Sequence, residues 1–180
     1  MEIEKKTKIG ITTIACVFLV GFILPENLVV PVLGSSAKDW NHNTFWYEPW
    51  GKSGVHKGID IFSPVGSQVV SSTYGVVIFK GRLELGGNVI IVLGPKWRVR
   101  YYAHLKNFNV NLGALVGTSE VIGTVGNSGN AKGKPSHLHY SIVTLFPYIM
   151  RWDTSTQGWK KIFFLDPGEK LLRALRENPI

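Results

Sequence analysis

Residues 87 to 105, GNVIIVLGPKWRVRYYAHL, read as two strands folded back on each other about Gly94-Pro95-Lys96. Val, Ile and Tyr fill both arms, and the Gly-Pro-Lys step between them is turn chemistry. The pattern continues on either side. SQVVSSTYGVVIFKGR, residues 67 to 82, reads as strand, turn at Gly75, strand. GTSEVIGTVGNSGN, residues 117 to 130, is a short strand ending in a Gly/Asn-rich loop that delivers the chain to PSHLHYSI, residues 135 to 142. Twenty Gly and nine Pro among 180 residues punctuate many short Val/Ile-rich runs, the composition of a β-rich domain with many turns. No internal repeat or heptad is present. The expected fold is mainly β, built of antiparallel strands.

The ends of the chain read differently. DPGEKLLRALREN, residues 166 to 178, is a closing helix: Asp166 as N-cap, Pro167 at the first helical position, Glu169 three residues after the cap, and Leu171, Leu172 and Leu175 as its apolar side. Residues 144 to 165, with Trp152 and Trp159 around DTSTQG, read as a second hairpin or an irregular flap. At the start, IGITTIACVFLVGFIL, residues 9 to 24, carries no charge and follows Lys5, Lys6 and Lys8. Residues 1–24 are therefore expected to be a transmembrane helix or a signal segment, the anchor being favoured. The lysines would lie in the cytoplasm and the rest on the periplasmic or extracellular side of the cell membrane. Residues 25–50 read as a spacer with an aromatic-rich lead-in, DWNHNTFWYEPWGKSG, running into a domain over 51–180 with its core at 54–143.

Composition narrows the chemistry. At 44% hydrophobic and 18% charged, the chain is expected to fold. A net charge of +8 favours an anionic neighbour, whether nucleic acid, acidic lipid or cell-wall polymer. The basic run KKTK is better explained by membrane orientation than by nucleic acid, and GTVGNSGNAKG lacks the Lys-Ser/Thr ending of a phosphate cradle. With Cys16 as the single cysteine, no intramolecular disulfide and no Cys-rich zinc site can form, so any metal is held by His and carboxylates.

Five histidines remain: His42, His56, His104, His137 and His139. His137 and His139 are two apart on a strand, so both rings project from one face while Leu138 and Tyr140 take the other. His56 in HKGID has Asp60 four residues later, and on an extended segment the two share a face. Together with one histidine of HLH they make a His, Asp, His set, and three protein ligands plus water is the pattern of a catalytic zinc site. The other histidine of HLH and His104 are left for acid/base work. On the strand RVRYYAHL, His104 is expected to share a face with Tyr102 and Arg100. His42, in DWNHN, is given no role.

These pieces, HKGIDIFSPVGSQVV, YYAHL, VIGTVGNSGN and HLHYSI in that order, resemble the lysostaphin-like zinc metallopeptidases, which cut peptide cross-links of bacterial cell wall. The resemblance covers residues 54 to 143. It implies zinc ligation by His56, Asp60 and His139, with His104 and His137 as the catalytic pair, and none of the five positions is substituted. The implied function is a zinc metalloendopeptidase acting on peptidoglycan. The alternative is a cell-wall-binding scaffold, catalytic weakly or not at all, that activates other hydrolases. Residues 144 to 165 have no counterpart in that resemblance, which leaves substrate choice open, since loops around a groove set specificity.

Overall fold

A computed structural model describes residues 2–177. The hairpin forms as read. β4 (Gly87–Gly94) and β5 (Arg98–Phe108) pair antiparallel, joined by a 3-10 turn over Pro95–Trp97. Around them stand β1 (Ile59–Phe62), β2 (Gln68–Val70), β3 (Gly75–Leu83), β6 (Leu115–Val116), β7 (Val121–Val125), β8 (His137–Thr144) and β9 (Phe164–Leu165). The sheet order is β1-β8-β5-β4-β3-β6, with β9 on β8 and with β7 bridging β5 to β2.

β5 organises the sheet because it changes partner along its length. From Arg98 to Ala103 it pairs with β8, ending at Ala103 opposite His139; from Leu105 to Phe108 it pairs with β7. His104 stands at the fork with φ of 63°. On the β4 side, Asn88 faces Leu105 and Ile90 faces Tyr102, so β5 holds one residue more than its partner there. This is a β-bulge with a left-handed residue in it. Gly126 fits beneath the fork: a Cβ on it would sit 2.8 Å from the His104 carbonyl oxygen and 2.6 Å from Lys106 N.

Alternation sets the two faces. Leu138, Tyr140 and Ile142 of β8 and Tyr102 of β5 point into a core with Ile59, Ile61, Ile90, Val92 and Ile122, all fully buried. The two tyrosine hydroxyls meet on Ser72 Oγ, at 3.0 Å for Tyr102 and 2.6 Å for Tyr140, which satisfies polar atoms that would otherwise be costly inside. α2 (Pro167–Glu177) closes this side through Leu171, fully buried, with Leu172 and Leu175 beside it. Burying each such leucine contributes about 1.5–3 kcal/mol. Asp166 Oδ1 accepts from the backbone N–H of Gly168 at 2.8 Å and of Glu169 at 3.2 Å, the expected cap. Asn178, the last residue of the stretch read as this helix, lies outside the described residues.

Residues 25–40 pack on the same side. Val29 N donates to Ser72 O, Val70 N to Pro31 O and Leu33 N to Gln68 O, so this strap lies along β2, with Val32 and Trp40 in the core. Glu26 forms ion pairs with both Arg98 and Arg100 on the back of β5, where Arg98 also donates to Tyr148 Oη at 2.8 Å.

The transmembrane part of the N-terminal expectation finds no support. α1 (Glu2–Ile23) is a helix, but among the described residues no helix is long and apolar enough to cross a membrane. Its uncharged part starts only at Ile9 and gives about 22 Å of helix, against a hydrocarbon core of about 30 Å. Instead α1 leans on the domain: Phe18 stacks on Trp97 at 6.1 Å, and Phe18 and Phe22 pack on Phe146 at 5.1 and 4.9 Å. Met1 lies outside the described residues.

Candidate metal centre

The opposite face of the sheet carries a groove of about 670 Å³, and all four histidines of the sequence motifs line it together with Asp60. Register brings them there. Asp60 of β1 lies opposite His139 of β8, and Phe62 lies opposite His137. His56, on the extended segment before β1, swings back so that its Nε2 is 3.1 Å from Asp60 Oδ1 and 3.1 Å from His139 Nδ1; His139 Nδ1 is 2.8 Å from Asp60 Oδ1. Gly58 between them is required, because a Cβ there would collide with the Tyr140 carbonyl and the Ser141 hydroxyl.

The second nitrogen of each ring decides what the first can do. His56 Nδ1 donates to the Thr44 carbonyl at 3.0 Å, leaving Nε2 with a lone pair. His139 Nε2 contacts Ser141 Oγ at 3.1 Å, so its Nδ1 is the atom that faces the cluster. Two imidazole nitrogens and a carboxylate oxygen this close repel unless a cation lies between them. The donor set therefore fits a metal ion, with three ligands and room in the groove for water. Trp50 stacks on His56 at 4.0 Å between ring centroids and seals its outer side.

The remaining pair is arranged in the same way. His104 Nδ1 donates to Ser128 O at 2.8 Å and His137 Nδ1 to Pro135 O at 2.8 Å, so each keeps Nε2 for the groove. Their ring centroids are 4.9 Å apart, and His137 Nε2 is 3.8 Å from Asp60 Oδ2. Burial, then the neighbouring His139 and His137, push the His104 imidazolium down to about 4, so the ring is neutral at neutral pH. Burial also pushes His139 down, against the pull of Asp60. For Asp60, burial alone would push the carboxyl up. The adjoining His139 and His56 rings outweigh it and hold the group well below the usual carboxylate range.

One expectation about the site is corrected. Arg100 and Tyr102 face the core side, whereas the residues of β5 lining the groove are Val99, Tyr101, Ala103 and His104. Strict alternation would have turned His104 away, and the left-handed residue at the fork returns it to the groove. His42 is exposed, its ring 5.6 Å from Trp40 and outside the groove lining. Sequence reasoning missed Ser141, although His-Leu-His-Tyr-Ser alternation puts it on the histidine face. It also missed Trp50, Thr44 and Ser128, which act across the fold with no local signal.

Residues 54–148 match the model of peptidase family M23. The chain is similar to the L-Ala–D-Glu endopeptidase of Bacillus subtilis, 37% identical over 142 residues, covering 68% of this chain and 44% of that protein. It is 41% identical over 86 residues to the DD-carboxypeptidase/endopeptidase Mpg of Neisseria meningitidis, covering 48% of this chain and 19% of that protein. The chain thus spans less than half the length of either relative. Among solved structures, the catalytic domain of lysostaphin from Staphylococcus simulans superposes with a TM-score of 0.56 and 26% identity, over 69% of this chain and 85% of that one.

Proposed function

The chain belongs to peptidase family M23, and from that premise we propose that it is a zinc metalloendopeptidase hydrolysing peptide cross-links of bacterial cell-wall peptidoglycan. The observation carrying this reading is the convergence of His56 Nε2, Asp60 Oδ1 and His139 Nδ1, with the Nε2 atoms of His104 and His137 on the same groove. In this reading His56, Asp60 and His139 hold the ion. Bound there, zinc supplies Lewis acidity, which polarises a scissile carbonyl and makes water a nucleophile near neutral pH.

The chain's own residues supply the rest. His104, kept neutral by burial, is able to accept a proton at Nε2, and His137 presents a second Nε2 beside it. Between them they take the proton of the attacking water and return one to the leaving amine. The carbonyls of Ser128 and Pro135 fix both rings so that neither turns away. The groove is open to solvent, and among the described residues its only lining carboxylate is Asp60. Because such a substrate lies outside the cytoplasm, we place the domain there as well.

The test is incubation of the zinc-loaded chain with purified peptidoglycan and, separately, with unrelated protein substrates. New amino groups from peptidoglycan alone support the proposal. Binding without cleavage points to a scaffold, and cleavage of the proteins alone overturns the assignment of substrate. Recovery of the mature protein in the cytoplasmic fraction would overturn its placement outside.

A further inference from the structure

The segment over 144–165 folds against the loop that precedes β1. Trp46 Nε1 donates to Thr156 O at 3.1 Å, the Trp46 ring packs on Phe164 at 5.7 Å, and Gln157 Nε2 donates to Ser53 O at 2.9 Å. These contacts bring Lys160 to Lys57. Lys57 Nζ donates to the same Ser53 carbonyl at 3.1 Å, and Lys160 Nζ donates to Gln157 Oε1 at 3.0 Å. The two ammonium groups are therefore the ends of one chain of hydrogen bonds that runs through Ser53 O and the Gln157 amide.

No counter-charge joins them. Among the described residues neither lysine has a carboxylate in an ion pair, and Asp153, the acid of this segment, is held by Lys161. Both lysines are half-buried, and Lys57 lines the groove next to His56. Two cations joined through one chain of hydrogen bonds, with Lys57 at the groove wall, are unfavourable alone and become favourable when an anion joins them.

We propose that Lys57 and Lys160 form a subsite for a free carboxylate of the peptide substrate, beside the scissile amide; the proposal rests on the endopeptidase reading above. A carboxylate has two oxygens to share between two ammonium donors, and each charge-assisted bond is stronger than a neutral one. The subsite selects acidic peptides over those whose carboxylate is replaced by a carboxamide, and over runs of uncharged residues. The segment over 144–165 thereby acquires a role, because it delivers Lys160.

The experiment compares two synthetic peptides that differ only in a carboxylate or a carboxamide beside the scissile bond. Dissociation constants are measured on zinc-loaded, full-length His137→Ala protein, and cleavage is followed in parallel with the unmodified chain. The acidic peptide is expected to bind about tenfold more tightly at low salt, with the gap narrowing as salt is added. Introducing Lys160→Met, or Lys57→Met, closes most of the gap. Equal affinities for the two peptides, or a gap that survives both lysine changes, overturns the subsite. Cleavage of neither peptide overturns the endopeptidase reading, whereas the binding gap judges the subsite independently.

Discussion

His137 and His139 sit two residues apart, yet the proposed function gives their side chains different work, and substitution is expected to separate them. Replacing His139 by Ala removes one of three ligand atoms, so bound zinc and activity fall together. Replacing His137 by Ala leaves zinc in place and lowers turnover by about 10²–10⁴-fold, the usual worth of acid/base assistance. Metal analysis beside a cleavage assay checks both, and zinc loss in the His137 variant instead of the His139 variant would exchange their roles. Chelation should abolish hydrolysis in the unmodified chain and added zinc restore it. At this scale the sequence was most legible where spacing alone fixes direction, as in HLH and HKGID. It was least legible at His104, where a single left-handed residue reverses the face that alternation assigns.

α2 shows the same contrast among elements. Its cap, first-turn proline and leucine spacing are local signals, and the helix forms where they place it. Leu171→Ala is expected to cost about 2–5 kcal/mol by opening a cavity under the sheet. Asp166→Ala should cost about 1 kcal/mol through loss of the cap. Urea titration of both variants gives the ordering, and equal costs would mean that the helix is not anchored through Leu171. The 144–165 segment was illegible for the opposite reason. Its 3-10 turns at 149–151 and 158–163 have no periodicity, and contacts with Trp46 and Ser53, about a hundred residues earlier, hold it in place.

Across the whole molecule, the strap over 25–33 joins the N-terminal helix to the back of the sheet. In the sequence its run NLVVPVLG, broken by Pro31, reads as a spacer, because its partners at 68–72 and 98–100 are far along the chain. Glu26→Gln would leave Arg98 and Arg100, both buried, without a counter-charge, and is expected to destabilise the fold by about 3–5 kcal/mol. Thermal or urea unfolding checks this, and a change below 1 kcal/mol would show the pair to be well solvated. Lys170 belongs to the same cluster. Burial, then Arg98, push its ammonium down to about 8 from the ordinary 10.5. The unfolded chain therefore holds that proton more tightly between these values, and stability rises with pH across the interval. Relative to the unmodified chain, Lys170→Met should be more stable at pH 7 and lose that advantage as pH rises from about 8 toward 10. A stability difference that stays flat with pH would contradict this.

The strap also carries a consequence for the order of events on the ribosome. Glu26 emerges 74 residues before Arg100, so at about 5–20 residues per second it waits roughly 4–15 s for its partner to be made. For the first part of that interval the strap lacks its partners at 68–72, and for all of it Glu26 lacks its partners on β5. The contacts of the strap with β5 therefore wait until residues 98–100 have been made. Slowing elongation should lengthen the time for which chaperones can be crosslinked to residues 9–33, without altering the protein that is finally released.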